Sequence, residues 1–154
     1  MKIPIFARKF SLYMWQRIQT LYLIIAIALT AVLMWGNAAA RTGDEGLELI
    51  RYTAIAKPYM LILLIILALA EVVALIAFKV RILQMRLSVV AGLIAVGMQA
   101  WLGVMYFTSP GYVFRWTVIF PLVIALADFL AARGAFQDQL VVESAQRLRS
   151  RRKR

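Results

Sequence analysis

Residues 58–78 read PYMLILLIILALAEVVALIAF, an apolar run broken by one charge, at Glu71. A helix at the surface of a small soluble domain carries a polar face with a period near 3.6 residues, and this stretch has none. At 1.5 Å per residue it reaches about 31 Å, the thickness of the hydrocarbon layer of a bilayer. Pro58 suits the first turn of such a helix, where its missing N–H costs nothing. The stretch predicts a transmembrane helix.

Three further runs of similar length and character flank it, at about 18–36, 87–107 and 112–132, the last following the turn Ser109-Pro110-Gly111. The expected fold is therefore all-α: a polytopic integral membrane protein with four transmembrane helices. Residues 1–16 read as a basic cytoplasmic segment, 17–133 as the four-helix transmembrane domain, and 134–154 as an amphipathic helix with a basic cytoplasmic tail. Within 134–149 the apolar residues Phe136, Leu140, Val141, Ala145 and Leu148 fall on one helical face, with Asp138, Glu143, Arg147 and Arg149 mostly elsewhere. Pro121 inside the fourth run predicts a kink.

Composition agrees. Of 154 residues, 64% are hydrophobic, where a soluble domain carries about 45–50%. The net charge of +11 would suggest nucleic acid in a soluble protein. Here the basic residues cluster at the ends of apolar runs, which is a pattern of membrane topology. Fourteen Lys and Arg lie in the N-terminal segment, the 79–86 connection and the tail, against four (Arg41, Arg51, Lys57 and Arg115) on the other side. That asymmetry places both termini in the cytoplasm and the chain in a cytoplasmic (inner) membrane. The first run has a competing reading, because a basic start, an apolar core and Ala38-Ala39-Ala40 resemble a cleavable signal peptide. Its length favours a span.

Three segments carry a resemblance to a known family. They are Met14-Trp15-Gln16-Arg17-Ile18-Gln19-Thr20-Leu21-Tyr22-Leu23, then Phe78-Lys79-Val80-Arg81-Ile82-Leu83-Gln84-Met85-Arg86-Leu87, and in the tail Leu140-Val141, Glu143-Ser144 and Arg147-Leu148-Arg149. In that order and spacing the chain resembles, over residues 14 to about 149, the small bacterial membrane protein family catalogued as domain of unknown function 4293, found mostly in Bacteroidota. The resemblance implies a four-span inner-membrane protein and no particular activity. Residues 1–13 read as an extension before the family's pattern, so either Met1 or Met14 could start the natural protein. The basic run past Arg149 is a second departure.

The chain contains no cysteine and no histidine, which removes disulfides, thiolate chemistry and the usual zinc and haem ligand sets. No phosphate-cradling Gly-Lys-Ser/Thr loop is present. The sequence therefore predicts no cofactor, no metal centre and no catalytic activity. The residues that stand out are polar groups in apolar runs. Glu71 lies about 12 Å from the cytoplasmic end of the second run, and Asp128 about five residues from the end of the fourth. The two could share one depth, with Gln99, Arg17 and Gln19 completing a possible intramembrane polar cluster. One reading is a proton or cation site; the plainer one is that both acids pair with Arg17, Arg86 or Arg133 reaching down from the inner rim. Ala91, Ala95, Gln99 and Gly103, at intervals of four, permit close helix packing. Arg147, Arg149, Arg151, Arg152, Lys153 and Arg154 form a possible lipid-binding tail on anionic headgroups, and the absence of interleaved aromatics argues against nucleic acid.

These observations suggest a non-catalytic accessory or assembly subunit of a larger membrane complex, partnered by other integral membrane subunits. The alternatives are an oligomeric small carrier or channel using Glu71, and a membrane recruiter whose tail binds anionic lipid or ribosomal RNA.

Overall fold

The computed structural model describes residues 5–43, 46–55, 58–109 and 111–152, with side chains described from Ile18 to Ser144 inside those stretches, Gly43 and Lys79 excepted. The apolar run that opened the argument forms helix α3, Tyr59–Ile76, with Pro58 at its N-cap. Before it come α1 (Ile5–Trp35), strands β1 (Asn37–Gly43) and β2 (Gly46–Arg51), and the single turn α2 (Tyr52–Ile55). After it come a 3₁₀ turn at Ala77–Lys79, α4 (Arg81–Thr108), β3 (Tyr112–Phe114), a 3₁₀ turn at Trp116–Ile119, and α5 (Phe120–Arg152). Four helices are long and apolar enough to cross a membrane.

The helices close into a ring in which α3 packs on α1 and α4, and α5 packs on the same two. Helices α3 and α5 therefore face each other across the bundle axis. Each helix buries a narrow stripe. On α3 the stripe is Met60, Leu64, Leu67, Glu71 and Ala74, at the alternating intervals of four and three that keep one face inward. Leu61, Ile62, Ile65, Ile66 and Leu69 on the same helix are exposed. An exterior this apolar suits hydrocarbon, where apolar contact between helices gains little over contact with lipid. Close packing of small residues then has to hold the bundle. Ala74, Ala91, Ala95, Ala131 and Ala135 are all buried at helix contacts. The small-residue stripe of α4 is used only in its N-terminal half, where Ala91 and Ala95 are buried, since nothing lies within 4 Å of a Cβ built on Gly103.

Four features depart from the sequence reading. First, the fold is not purely helical. The α1–α3 and α4–α5 connections join in a three-stranded antiparallel sheet of order β2-β1-β3, in which Ala39 faces Ile50 and Phe114. The Ala38-Ala39-Ala40 stretch, which resembled a cleavage site, is the buried middle strand of this sheet. Gly46, at φ 125°, holds a backbone region that side chains rarely enter. The Arg115 N–H donates to the Ala38 carbonyl at 3.0 Å, the Thr117 hydroxyl donates to the Asn37 carbonyl at 2.9 Å, and together these tie the sheet to the start of α5.

Second, Pro121 does not kink a span. It occupies the first turn of α5, after the 3₁₀ turn, where no helical N–H is lost. The fourth helix accordingly begins at Phe120 rather than near Tyr112. Third, the C-terminal amphipathic helix is not a separate element: α5 continues unbroken through Gly134 to Arg152. Fourth, Asp138 is not on a solvated face but is buried, because α1 runs alongside α5 at this level.

Tyr52 is wholly buried beneath the sheet, and burial pushes its phenol up to about 12. Its hydroxyl makes no hydrogen bond of good geometry; the neighbouring Thr117 hydroxyl, which donates to Asn37, stands close enough to offset part of the burial. Tyr52→Phe is therefore expected to leave stability in detergent unchanged or to raise it by up to about 1 kcal/mol, because it removes an unmet polar group at constant shape. A thermal melt showing a comparable loss would contradict this account of the cap.

Candidate functional site

The bundle axis carries carboxylates where an apolar core would be simplest. Glu71 on α3 and Asp128 on α5 are both 0% exposed. They lie on the two helices that face each other across the axis, close enough for Asp128 to feel the charge of Glu71. The Thr30 hydroxyl on α1 donates to Glu71 Oε1 at 2.9 Å. That single bond is all the site receives. Glu71 Oε2 and both Asp128 oxygens are buried without a hydrogen-bond partner.

The expected rescue by Arg86 or Arg133 is not seen. Arg86 and Arg133 are exposed on the outside of the bundle, and neither acid has a cation partner among the described residues. The depths agree with the sequence reading that Glu71 and Asp128 share a layer. Gln99 does not join them: it stands about 27 Å of helix beyond Arg81, in the outer half of α4. Its Oε1 is also buried without a partner. Thr30 belongs to the site and was not singled out in the sequence, since a threonine in an apolar helix is commonplace. No group of three or more His, Cys, Asp or Glu that could hold a metal ion occurs among the described residues.

A second polar layer lies at the end of the bundle away from the sheet. Gln19 leaves the expected cluster and donates from Nε2 to Asp138 Oδ2 at 3.0 Å. Arg81 Nη1, at the start of α4, donates to the Asp138 backbone carbonyl at 3.2 Å. Asp138 thus joins α1, α4 and α5 at one point. Every side-chain oxygen or nitrogen engaged here has a defined structural task, in contrast to the orphaned oxygens on the axis. Arg17 falls within α1, but its side chain lies outside the described residues. The same holds for Arg147, Arg149, Arg151 and Arg152, while Lys153 and Arg154 lie outside them altogether.

Two grooves mark the exterior. One, of about 330 Å³, is lined by Tyr59, Met60, Ile62, Leu63 and Trp101, with almost no polar surface. The other, of about 260 Å³, runs between α1 and α5 and includes Arg133.

No curated protein and no solved structure matches the chain. A family model described as "Domain of unknown function (DUF4293)" matches residues 15–148, nearly the whole of the four-helix structure. The chain belongs to the DUF4293 family of domains of unknown function.

Proposed function

We propose that this chain is a non-catalytic, multi-pass protein of a bacterial cytoplasmic membrane, with both termini inside, that carries a proton or small monovalent cation at Glu71 and Asp128. One observation supports the reading above others: three carboxylate oxygens are buried on the bundle axis with no donor and no cation among the described residues. An unpaired charge inside a span is costly, and such residues commonly serve ion or proton pathways. A proton or cation shared between the two acids would meet the orphaned oxygens, with the Thr30 hydroxyl holding Glu71 in place. Because both acids are fully buried within their own bundle, pairing of Glu71 with a cation on another subunit fits less well.

The test is flux. Purified protein is reconstituted into liposomes holding a pH-sensitive dye, and a potassium diffusion potential is imposed; a parallel set holds a sodium-sensitive dye. The wild type is expected to conduct one of the two ions, and Glu71→Gln and Asp128→Asn to fall to the level of protein-free vesicles. Wild-type vesicles with verified insertion but no flux in either set would reject the reading.

A second reading, an accessory subunit of a larger membrane complex, is favoured by the outer sheet. Leu47, Leu49 and Val113 are exposed there, and β2 and β3 each present an edge that pairs with no strand among the described residues. Exposed edges and apolar faces are sites of partner binding. Mild-detergent purification at native expression would then recover the chain with other integral membrane subunits in fixed ratio.

A further inference from the structure

The groove between α1 and α5 combines two chemistries in an order that matches a phospholipid. Leu130 and Tyr22 line its membrane end, Gln137 its cytoplasmic end, and Arg133 and Ile18 the space between. Arg133 is exposed and has no acidic partner among the described residues; Asp128 and Asp138, equally near along the helix, are both buried, and Asp138 is engaged by Gln19. Gly134 contributes no side chain, and the Gln19 side chain packs over it as the floor of the groove. The flanking Leu130 and Ile18 are both exposed to the bundle's surroundings. The groove is about 260 Å³ in volume. We propose that it is a binding site for one anionic phospholipid of the inner leaflet. The phosphate sits on the Arg133 guanidinium within reach of the Gln137 amide, and the first methylenes of an acyl chain lie along Leu130 and Tyr22.

Charge complementarity selects this occupant. A guanidinium held beside an apolar surface at the inner boundary attracts an anionic headgroup, while a zwitterionic one brings a compensating cation. The apolar half of the groove distinguishes a lipid from a soluble phosphate, which would leave Leu130 and Tyr22 uncovered. The site is separate from the basic tail and independent of any ion carried on the bundle axis.

Native mass spectrometry of the full chain in a non-ionic detergent tests the proposal. Dioleoylphosphatidylglycerol and dioleoylphosphatidylcholine are titrated separately, with glycerol phosphate as a soluble competitor. The first phosphatidylglycerol is expected to bind more tightly than phosphatidylcholine. Arg133→Gln should weaken it about fivefold and leave phosphatidylcholine unchanged, whereas Arg133→Lys should retain the preference. Deletion of residues 147–154 should also leave this first site intact. Equal binding of the two lipids, an unchanged preference in Arg133→Gln, or loss of the preference on deleting the tail would each overturn the proposal. Competition by glycerol phosphate at concentrations comparable to the lipid would overturn it as well, by showing a site for soluble phosphate.

Discussion

Asp128→Asn is expected to make the bundle more stable and to abolish transport. Both Asp128 oxygens are buried with no donor in reach, and a polar group left unmet in that way costs about 1–3 kcal/mol. Asparagine has nearly the same shape, so no cavity forms and nothing is overpacked. It carries no charge to desolvate, and its amide brings N–H donors into a layer that holds an unmet acceptor, Glu71 Oε2. A gain of about 1–3 kcal/mol in a detergent unfolding titration is therefore expected. Added ion should then stabilise the wild type by mass action and leave the variant unmoved. Taken together, a stability gain and a loss of flux would mark Asp128 as a residue held against the interest of folding. A loss of stability in Asp128→Asn would instead show that the carboxylate has a favourable partner in the folded bundle, and the ion-carrying proposal would lose its main support.

What could be read from the residues alone followed from how strongly each feature is imposed by the solvent. Long runs such as 58–78 tolerate only one interpretation, so the four helices and their order were legible. The shared depth of Glu71 and Asp128 could be counted from the run ends. The outer sheet was harder to see, because Leu47-Glu48-Leu49-Ile50 is short and sits in a polar connection that reads as a loop. The alternation of apolar and polar residues after Gly46, opposite Ala39-Ala40-Arg41, was the available hairpin signal. Pro121 was misplaced because apolar residues begin at Tyr112, well before the helix does; they are spent on β3 and a 3₁₀ turn. Thr30 and Asp138 were invisible for a different reason. Their roles arise from helices meeting across 41 and 119 residues of sequence, and periodicity within one helix does not report such pairings. Gly134 suggested a boundary by residue type, although its helix continues past it.

That glycine is the subject of the second large effect. Gly134→Ala is expected to loosen this end of the bundle by about 2–3 kcal/mol, more than the small change in helix propensity in its favour. A Cβ at position 134 would stand 2.5 Å from Gln19 Cγ and 3.1 Å from its Nε2. The obstruction is near the root of the side chain rather than its tip, so a rotation of the amide alone does not clear it. Either α1 and α5 separate, or Gln19 swings out and gives up its 3.0 Å bond to the buried Asp138 carboxylate. The second route strands Asp138 at 3% exposure, with Arg81 bonded to its backbone rather than its side chain. The double variant separates these routes. Gln19→Ala in the Gly134→Ala background removes the clash, so a double-mutant cycle should show positive coupling of at least about 1 kcal/mol. Additive losses would mean that the close approach of α1 and α5 does not depend on this contact. At Gly92 the same substitution meets only the rim of the Phe129 ring, at 2.9 Å from Cε1. That ring is on the exposed side of α5 and can turn outward, so Gly92→Ala should cost clearly less than Gly134→Ala in the same unfolding assay. The contrast between the two glycines isolates what the base of the bundle requires: a side chain that cannot move because it already holds a buried acid.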